Sequence, residues 1–197
     1  MVREIRQAIL FNLVTLLLLG GLYPLVLWGV GAAAFPAQAE GSLLRRPDGS
    51  VVGSRLIAQP FERPDYFQPR PSAVSFNAAG SGGSNLGPSN PDLVKAVAAR
   101  LVAVRAREGK EAGPVPSELV TTSGSGLDPH IPPAAAALQA ARIANARGVT
   151  IEKVSALIEA HTEPPLLGFL GRARVNVLEL NLALDATFGP SGTEGGR

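Results

Sequence analysis

The chain has 197 residues and a formal net charge of +2 from 18 basic and 16 acidic side chains, with two histidines and no cysteine. Disulfides, cysteine-linked lipids and nitrogen–sulfur metal sites are therefore excluded, and scattered arginines with few aromatics make no nucleic-acid surface. Beyond the apolar N-terminus about 160 residues remain, enough for one domain with its own core.

Ile9 to Ala34 is uncharged and strongly apolar, with Arg3, Glu4 and Arg6 just before it. About 20 such residues cross a bilayer core of about 30 Å as a helix, so this stretch predicts one membrane span, with Ile9, Leu16, Leu19, Tyr23 and Trp28 as anchor residues facing lipid or interface. Ala37-Gln38-Ala39 resembles a signal-peptidase site. The apolar run is, however, much longer than the roughly 7–15 residues of a signal peptide, which favours a retained anchor. Pro24 lies near the end of the span, where few carbonyls lose a donor. Arg3 and Arg6 lie closer to the span than Arg45 and Arg46, which places the N-terminus in the cytoplasm and the rest of the chain outside.

Asp48-Gly49 predicts a turn and Ser50–Ala58 a strand or strand pair. Prolines at 60, 64, 69 and 71 hold the next segment extended. Within it Phe61, Tyr66 and Phe67 are expected to pin the loop to the core, the alternative being a docking surface. Ala79–Pro91 is rich in glycine, serine and asparagine and reads as a linker, closing with Asn90-Pro91-Asp92 as the start of a helix. That helix carries Leu93, Val94, Val97, Leu101, Val102 and Val104 and ends at Gly109.

Leu119–Ile131 holds Ser123-Gly124-Ser125-Gly126 and the pair Asp128 and His130. It lacks the Gly-x-Ser-x-Gly spacing of a nucleophile elbow, and the chain has no Gly-Lys-Ser/Thr for a phosphate-cradling loop. His130 and His161 read as hydrogen-bonded histidines near helix ends rather than as metal ligands. Pro132-Pro133 opens an alanine-rich helix to Arg147, closed by Gly148, and Thr150 caps a second with Ile151, Val154, Leu157 and Ile158. Arg142 and Arg147 are expected to be solvated. In Arg174–Asp185 apolar residues alternate at 175 and 177, then at 180, 182 and 184, which predicts a strand with a bulge near Leu178-Glu179.

The expected fold class is therefore α+β: one N-terminal transmembrane helix followed by one mixed helix and strand soluble domain. The predicted divisions are 1–8 as a short cytoplasmic N-terminus, 9–34 as the span, 35–186 as the extracytoplasmic domain and 187–197 as a disordered tail.

The order Tyr66-Phe67-Gln-Pro-Arg-Pro-Ser-Ala73, Ser81-Gly-Gly-Ser-Asn-Leu-Gly-Pro-Ser-Asn-Pro91, Ser123-Gly-Ser-Gly-Leu-Asp-Pro-His-Ile131, His161-Thr-Glu163 and Arg174–Leu184 resembles the C subunit of bacterial Kdp potassium-transporting ATPases. The resemblance covers nearly everything but the tail. Gly171-Arg-Ala-Arg174 stands where Gly-Glu-Pro-Arg is common in that family, and Pro132 where serine is usual, which touches local contacts only.

The resemblance implies a non-catalytic accessory subunit of an ATP-driven, high-affinity potassium importer in the bacterial inner membrane. Its implied partners are a channel-like potassium-binding subunit, a P-type ATPase subunit, a small membrane peptide and membrane lipid. It also implies a catalytic chaperone that raises nucleotide affinity of the ATPase subunit, with the loop from Ser81 to Leu86 likened to an ABC-type signature. No cofactor is expected to bind firmly, and ATP would act through the ATPase subunit. A domain outside the membrane meets little ATP, which makes that effect indirect. Ser81, Gly82, Gly83, Ser84, Asn85 and Gly87, with Ser123, Gly124, Ser125, Gly126, Asp128 and His130, are the candidate partner- or nucleotide-linked loops. The competing class is a membrane-anchored extracytoplasmic binding protein or hydrolase.

Overall fold

A computed structural model describes residues 1–46, 48–109 and 113–190. The chain divides into two compact units, Met1–Ser54 and a second beginning at Arg55. The α+β expectation holds: an N-terminal apolar helix precedes a mixed unit of helices and short strands.

In the first unit α1 (Val2–Leu17), a π-helical turn (Leu18–Leu22) and α2 (Tyr23–Ala34) form one helix, Val2–Ala34, long and apolar enough to cross a membrane. Residues 2–8, read as a separate N-terminal segment, are thus the first turns of the same helix. The wide turn has a local cause. Pro24 cannot donate to a carbonyl one turn back, and the preceding Tyr23 N–H reaches to Leu18 O, so the ladder loosens where a donor is missing. A one-turn helix, α3 (Pro36–Ala39), follows.

β1 (Leu43–Arg45) then pairs antiparallel with β2 (Val51–Ser54), with a register shift between Leu44 and Arg45. The predicted turn is present: Gly49 sits at φ +82° and Ser50 N–H donates to Asp48 Oδ1 at 2.8 Å. The strand predicted over 50–58 stops at Ser54. From Arg55 the backbone turns, and Ala58 N–H donates to Leu127 O at 2.8 Å instead of continuing a ladder.

In the second unit Asn90 caps α4 (Pro91–Glu108), accepting from Asp92 N–H at 2.8 Å, and Gly109 at φ +94° ends it. A 3₁₀ turn (Ser117–Leu119) leads through the second glycine loop to β3 (His130–Ile131). α5 (Pro133–Arg147) and α6 (Ile151–Ala160) pack as the predicted hairpin, with Gly148 left-handed between them. Thr150 occupies the cap position of α6 without a side-chain capping bond. β4 (Thr162–Glu163) and β3 flank β5 (Arg174–Asn176), all antiparallel, in the order β3-β5-β4.

The predicted final strand is corrected. Only Arg174–Asn176 is strand; Val177–Phe188 is helix α7. Asn176 caps it by accepting from Glu179 N–H at 3.2 Å, and Val177, Leu180, Asn181 and Leu184 lie on one buried helical stripe. Leu180 and Leu184 share a face under either period, and the cap decides between them. α7 continues through Phe188, into the predicted tail; residues 191–197 lie outside the described residues.

The core lies between α5, α6, α7 and β5: Ala135, Ala136, Ala140, Ile143, Val154, Ile158, Val175, Leu180 and Leu184 are all buried. Alanines on α5 let its neighbours approach closely.

Against this core runs the proline strap. Phe67 is fully buried and anchors it, as expected for core pinning. Strap residues Phe67 and Gln68 have no ladder to join, so two buried amides take its place. Asn181 Oδ1 accepts from Phe67 N–H at 2.8 Å while its Nδ2 donates to Phe67 O at 3.0 Å. Gln139 repeats this at Gln68, accepting at 2.8 Å and donating at 3.2 Å.

The expected solvation of Arg142 and Arg147 is also corrected. Their side chains are 8% and 3% exposed. Arg142 pairs with Glu108 at 2.9 Å and donates to the strap carbonyls of Pro64 and Tyr66. Arg147 pairs with Asp185 at 2.8 Å, donates to Asp65 O at 2.9 Å and stacks on the Tyr66 ring. Proline-rich backbone leaves carbonyls without partners nearby, and guanidinium forks supply the donors.

Candidate functional site

The two glycine–serine loops, some forty residues apart in sequence, meet. Gly82 N–H donates to Ser125 O at 2.8 Å, Ser81 Oγ to the same oxygen at 3.3 Å, and Thr122 Oγ1 to Ser84 Oγ at 3.3 Å. The linker expected over 79–91 is thus tied down at its centre.

Glycine is required at the meeting point. A Cβ on Gly126, whose φ is +70°, would lie 2.7 Å from Val74 Cγ2 and 2.8 Å from Gly82 O; one on Gly83 would lie 3.1 Å from Gly124 O. Asn85 adopts φ +52°, a conformation asparagine tolerates. By contrast nothing lies within 4 Å of a Cβ on Gly87 or Gly124.

The strap supports the second loop from behind. Arg70 pairs with Asp128 at 3.3 Å and donates to Thr122 O at 3.3 Å, while Ser123 N–H reaches Pro71 O at 3.4 Å. Ser125 Oγ accepts from Leu127 N–H, and Ser72 Oγ accepts from Val74 and Phe76 N–H. Asp128 Oδ1 accepts from His130 N–H at 3.0 Å and faces His130 Nδ1 at 3.4 Å. Burial raises the Asp128 pKa, but the bonds from His130 and the Arg70 charge outweigh it and hold the carboxyl below its ordinary 3.8.

Ser123 is buried, Ser125 Oγ is engaged by backbone, and Ser81, Ser84, Ser123 and Ser125 make no hydrogen bond to His130. Among the described residues no three His, Asp or Glu side chains cluster as a metal site. What the loops present is an exposed rim of Ser81, Ser84, Asn85, Gly87, Gly124 and Ser125 on a backbone locked from below. His161, at the end of α6, bonds Leu157 O through Nδ1, as read from sequence; His130 instead sits in β3 against Asp128. The anchor residues Ile9, Leu16, Leu19, Tyr23 and Trp28 are all more than half exposed along the helix.

Sequence reasoning missed Arg70, Gln139 and Asn181, which hold strap and loops in place. Arg70 and Gln139 carry no local signal, but Asn176-x-x-Glu179 is cap spacing and would have flagged α7.

Fold and site together define a protein with one N-terminal helix long and apolar enough to cross a membrane and an α+β unit that carries two interlocked glycine–serine loops. The sequence pattern of the family described as K+-transporting ATPase, c chain, matches residues 5–186. The chain is 52% identical over 186 residues to the potassium-transporting ATPase KdpC subunit of Geobacter sulfurreducens, covering 93% of this chain and 97% of that one. It is 55% identical over 185 residues to the KdpC subunit of Polaromonas naphthalenivorans, covering 92% and 94%. With that of Cereibacter sphaeroides it shares 53% over 186 residues, covering 94% and 98%. The chain belongs to the K+-transporting ATPase c chain family: it is an accessory subunit of a potassium pump.

Proposed function

We propose that this subunit is not catalytic by itself and that its α+β unit caps the external face of the channel-like, potassium-binding subunit. The single helix holds it in the inner membrane, N-terminus in the cytoplasm, beside the spans of the P-type ATPase subunit and the small membrane peptide. The observation that carries the reading is the pair of interlocked glycine–serine loops. The Ser81 and Ser125 hydroxyls hold backbone and the Ser84 hydroxyl meets that of Thr122, while the outer rim is exposed on a tied-down backbone.

A rigid rim pays little ordering entropy on docking, which suits a lasting subunit contact. The rise in nucleotide affinity at the ATPase subunit, the chaperone role, then follows without ATP touching these loops. The subunit needs only to bind one conformation of the pump more tightly than the other.

Co-purification in mild detergent tests this. The wild-type chain is expected to retain two large membrane subunits, and ATP binding to the isolated chain, followed by equilibrium dialysis, to be negligible. Stoichiometric ATP binding by the chain alone, or purification free of both partners, contradicts the reading.

A further inference from the structure

Outside the membrane helix, the largest cluster of exposed apolar side chains is the turn joining β4 to β5. Leu166, Leu167, Phe169 and Leu170 are 66%, 77%, 76% and 56% exposed. Soluble domains rarely leave four neighbouring large apolar groups in water without a use for them.

The turn is closed on itself. Leu166 and Leu170 exchange backbone hydrogen bonds at 3.0 and 2.9 Å, Gly168 N–H donates to Pro165 O at 2.9 Å and Phe169 N–H to Leu166 O at 3.4 Å. Pro164 and Pro165 have no N–H to satisfy. Most donors of the tip are therefore used internally or absent, which lowers the desolvation cost of entering a low-dielectric layer. Leu167 also sits at φ +56°, a conformation that glycine or asparagine adopts far more easily. An apolar residue at a strained tip position signals a demand for its side chain.

The charge carried by the turn itself is of one sign. From Pro164 to Ala173 the only ionisable residue is Arg172, which is exposed; at the base Arg174 neutralises Glu163 at 2.9 Å. Exposed apolar groups beside one exposed arginine, in a turn without a carboxylate, complement the interfacial zone of an anionic bilayer. A bilayer is also close at hand, because the same polypeptide carries the apolar helix Val2–Ala34.

We propose that the Leu166–Leu170 turn is a second membrane contact, dipping Leu167 and Phe169 into the headgroup region of an anionic leaflet with Arg172 on the phosphates. It is independent of the sidedness proposed above, since both leaflets carry such headgroups.

The cysteine-free full chain, reconstituted in lipid nanodiscs, allows a direct test. An environment-sensitive fluorophore is placed at Phe169→Cys or, as control, at the exposed helix position Glu152→Cys. Accessibility to an aqueous quencher is then compared in phosphatidylcholine discs with and without phosphatidylglycerol, and far-UV circular dichroism checks the fold of each variant. The label at 169 is expected to be shielded relative to 152, more so with phosphatidylglycerol, and to lose its shielding when Leu167→Asp is added. Arg172→Gln is expected to weaken docking to anionic discs about fivefold, the effect of one basic residue near such a surface. Equal quenching at 169 and 152 overturns the proposal. Shielding at 169 that appears only in the assembled pump also overturns it, and assigns the turn to a protein partner.

Discussion

Replacing Gly126 with alanine probes the interlock of the two loops. The added Cβ meets two costs. At φ +70° an L side chain is disfavoured by about 1–2 kcal/mol. It would also stand 2.8 Å from Gly82 O and 2.7 Å from Val74 Cγ2, so either the first loop or the strap must move. Overpacking of this kind costs typically about 1–3 kcal/mol, and because the Gly82 contact is with backbone, side-chain rotation alone cannot relieve it. The sum is a loss of about 2–5 kcal/mol in the α+β unit. Gly87→Ala, in the first loop but with open space around the new Cβ, is expected to stay within about 0.5 kcal/mol of wild type. Urea unfolding of the full chain in detergent, followed by circular dichroism, compares the two. Equal midpoints for the two variants would refute the claim that the loops are packed through glycine.

Further expectations concern the strap and its supports. Asn181→Ala leaves the buried N–H and C=O of Phe67 without partners and is expected to cost about 2–4 kcal/mol in the same assay. Arg147→Met is expected to cost about 3 kcal/mol, the low end for breaking a buried pair, because Asp65 keeps Arg63 and Asp185 keeps the Tyr66 hydroxyl; Arg147→Lys should not restore it, having no planar fork. The Asp128 carboxyl has a folded pKa below its ordinary 3.8, so its stabilising contribution is complete above that value and is lost as pH falls through the folded pKa. Stability against pH should therefore show a shallower acid limb in Asp128→Asn than in wild type.

Helix starts and stops were legible because their chemistry is local: Asn90-Pro91-Asp92, Pro132-Pro133 and Gly148 act on their own neighbours. α7 was misread because Val175 and Val177, then Leu180, Leu182 and Leu184, satisfy a period of two once a one-residue bulge is allowed, while Leu180, Asn181 and Leu184 satisfy the helical one. Asn181 is polar yet only 2% exposed, because the strap brings a backbone for it to hold. Arg142 and Arg147 were illegible for the same reason, the strap carbonyls they hold lying 76 to 82 residues away and their carboxylate partners 34 and 38. The glycine–serine loops were visible as compositions, but their pairing depends on the strap fixing the second loop through Arg70 and Pro71.

The claim that the α+β unit lies outside the cytoplasm and acts on the pump without touching ATP is tested most directly by sidedness. Single cysteines at Ser84 and Ser125, both exposed on the rim, are challenged with a membrane-impermeant maleimide in intact and in lysed cells. The account predicts labelling in intact cells at both positions. Labelling only after lysis would place the rim with ATP and contradict it.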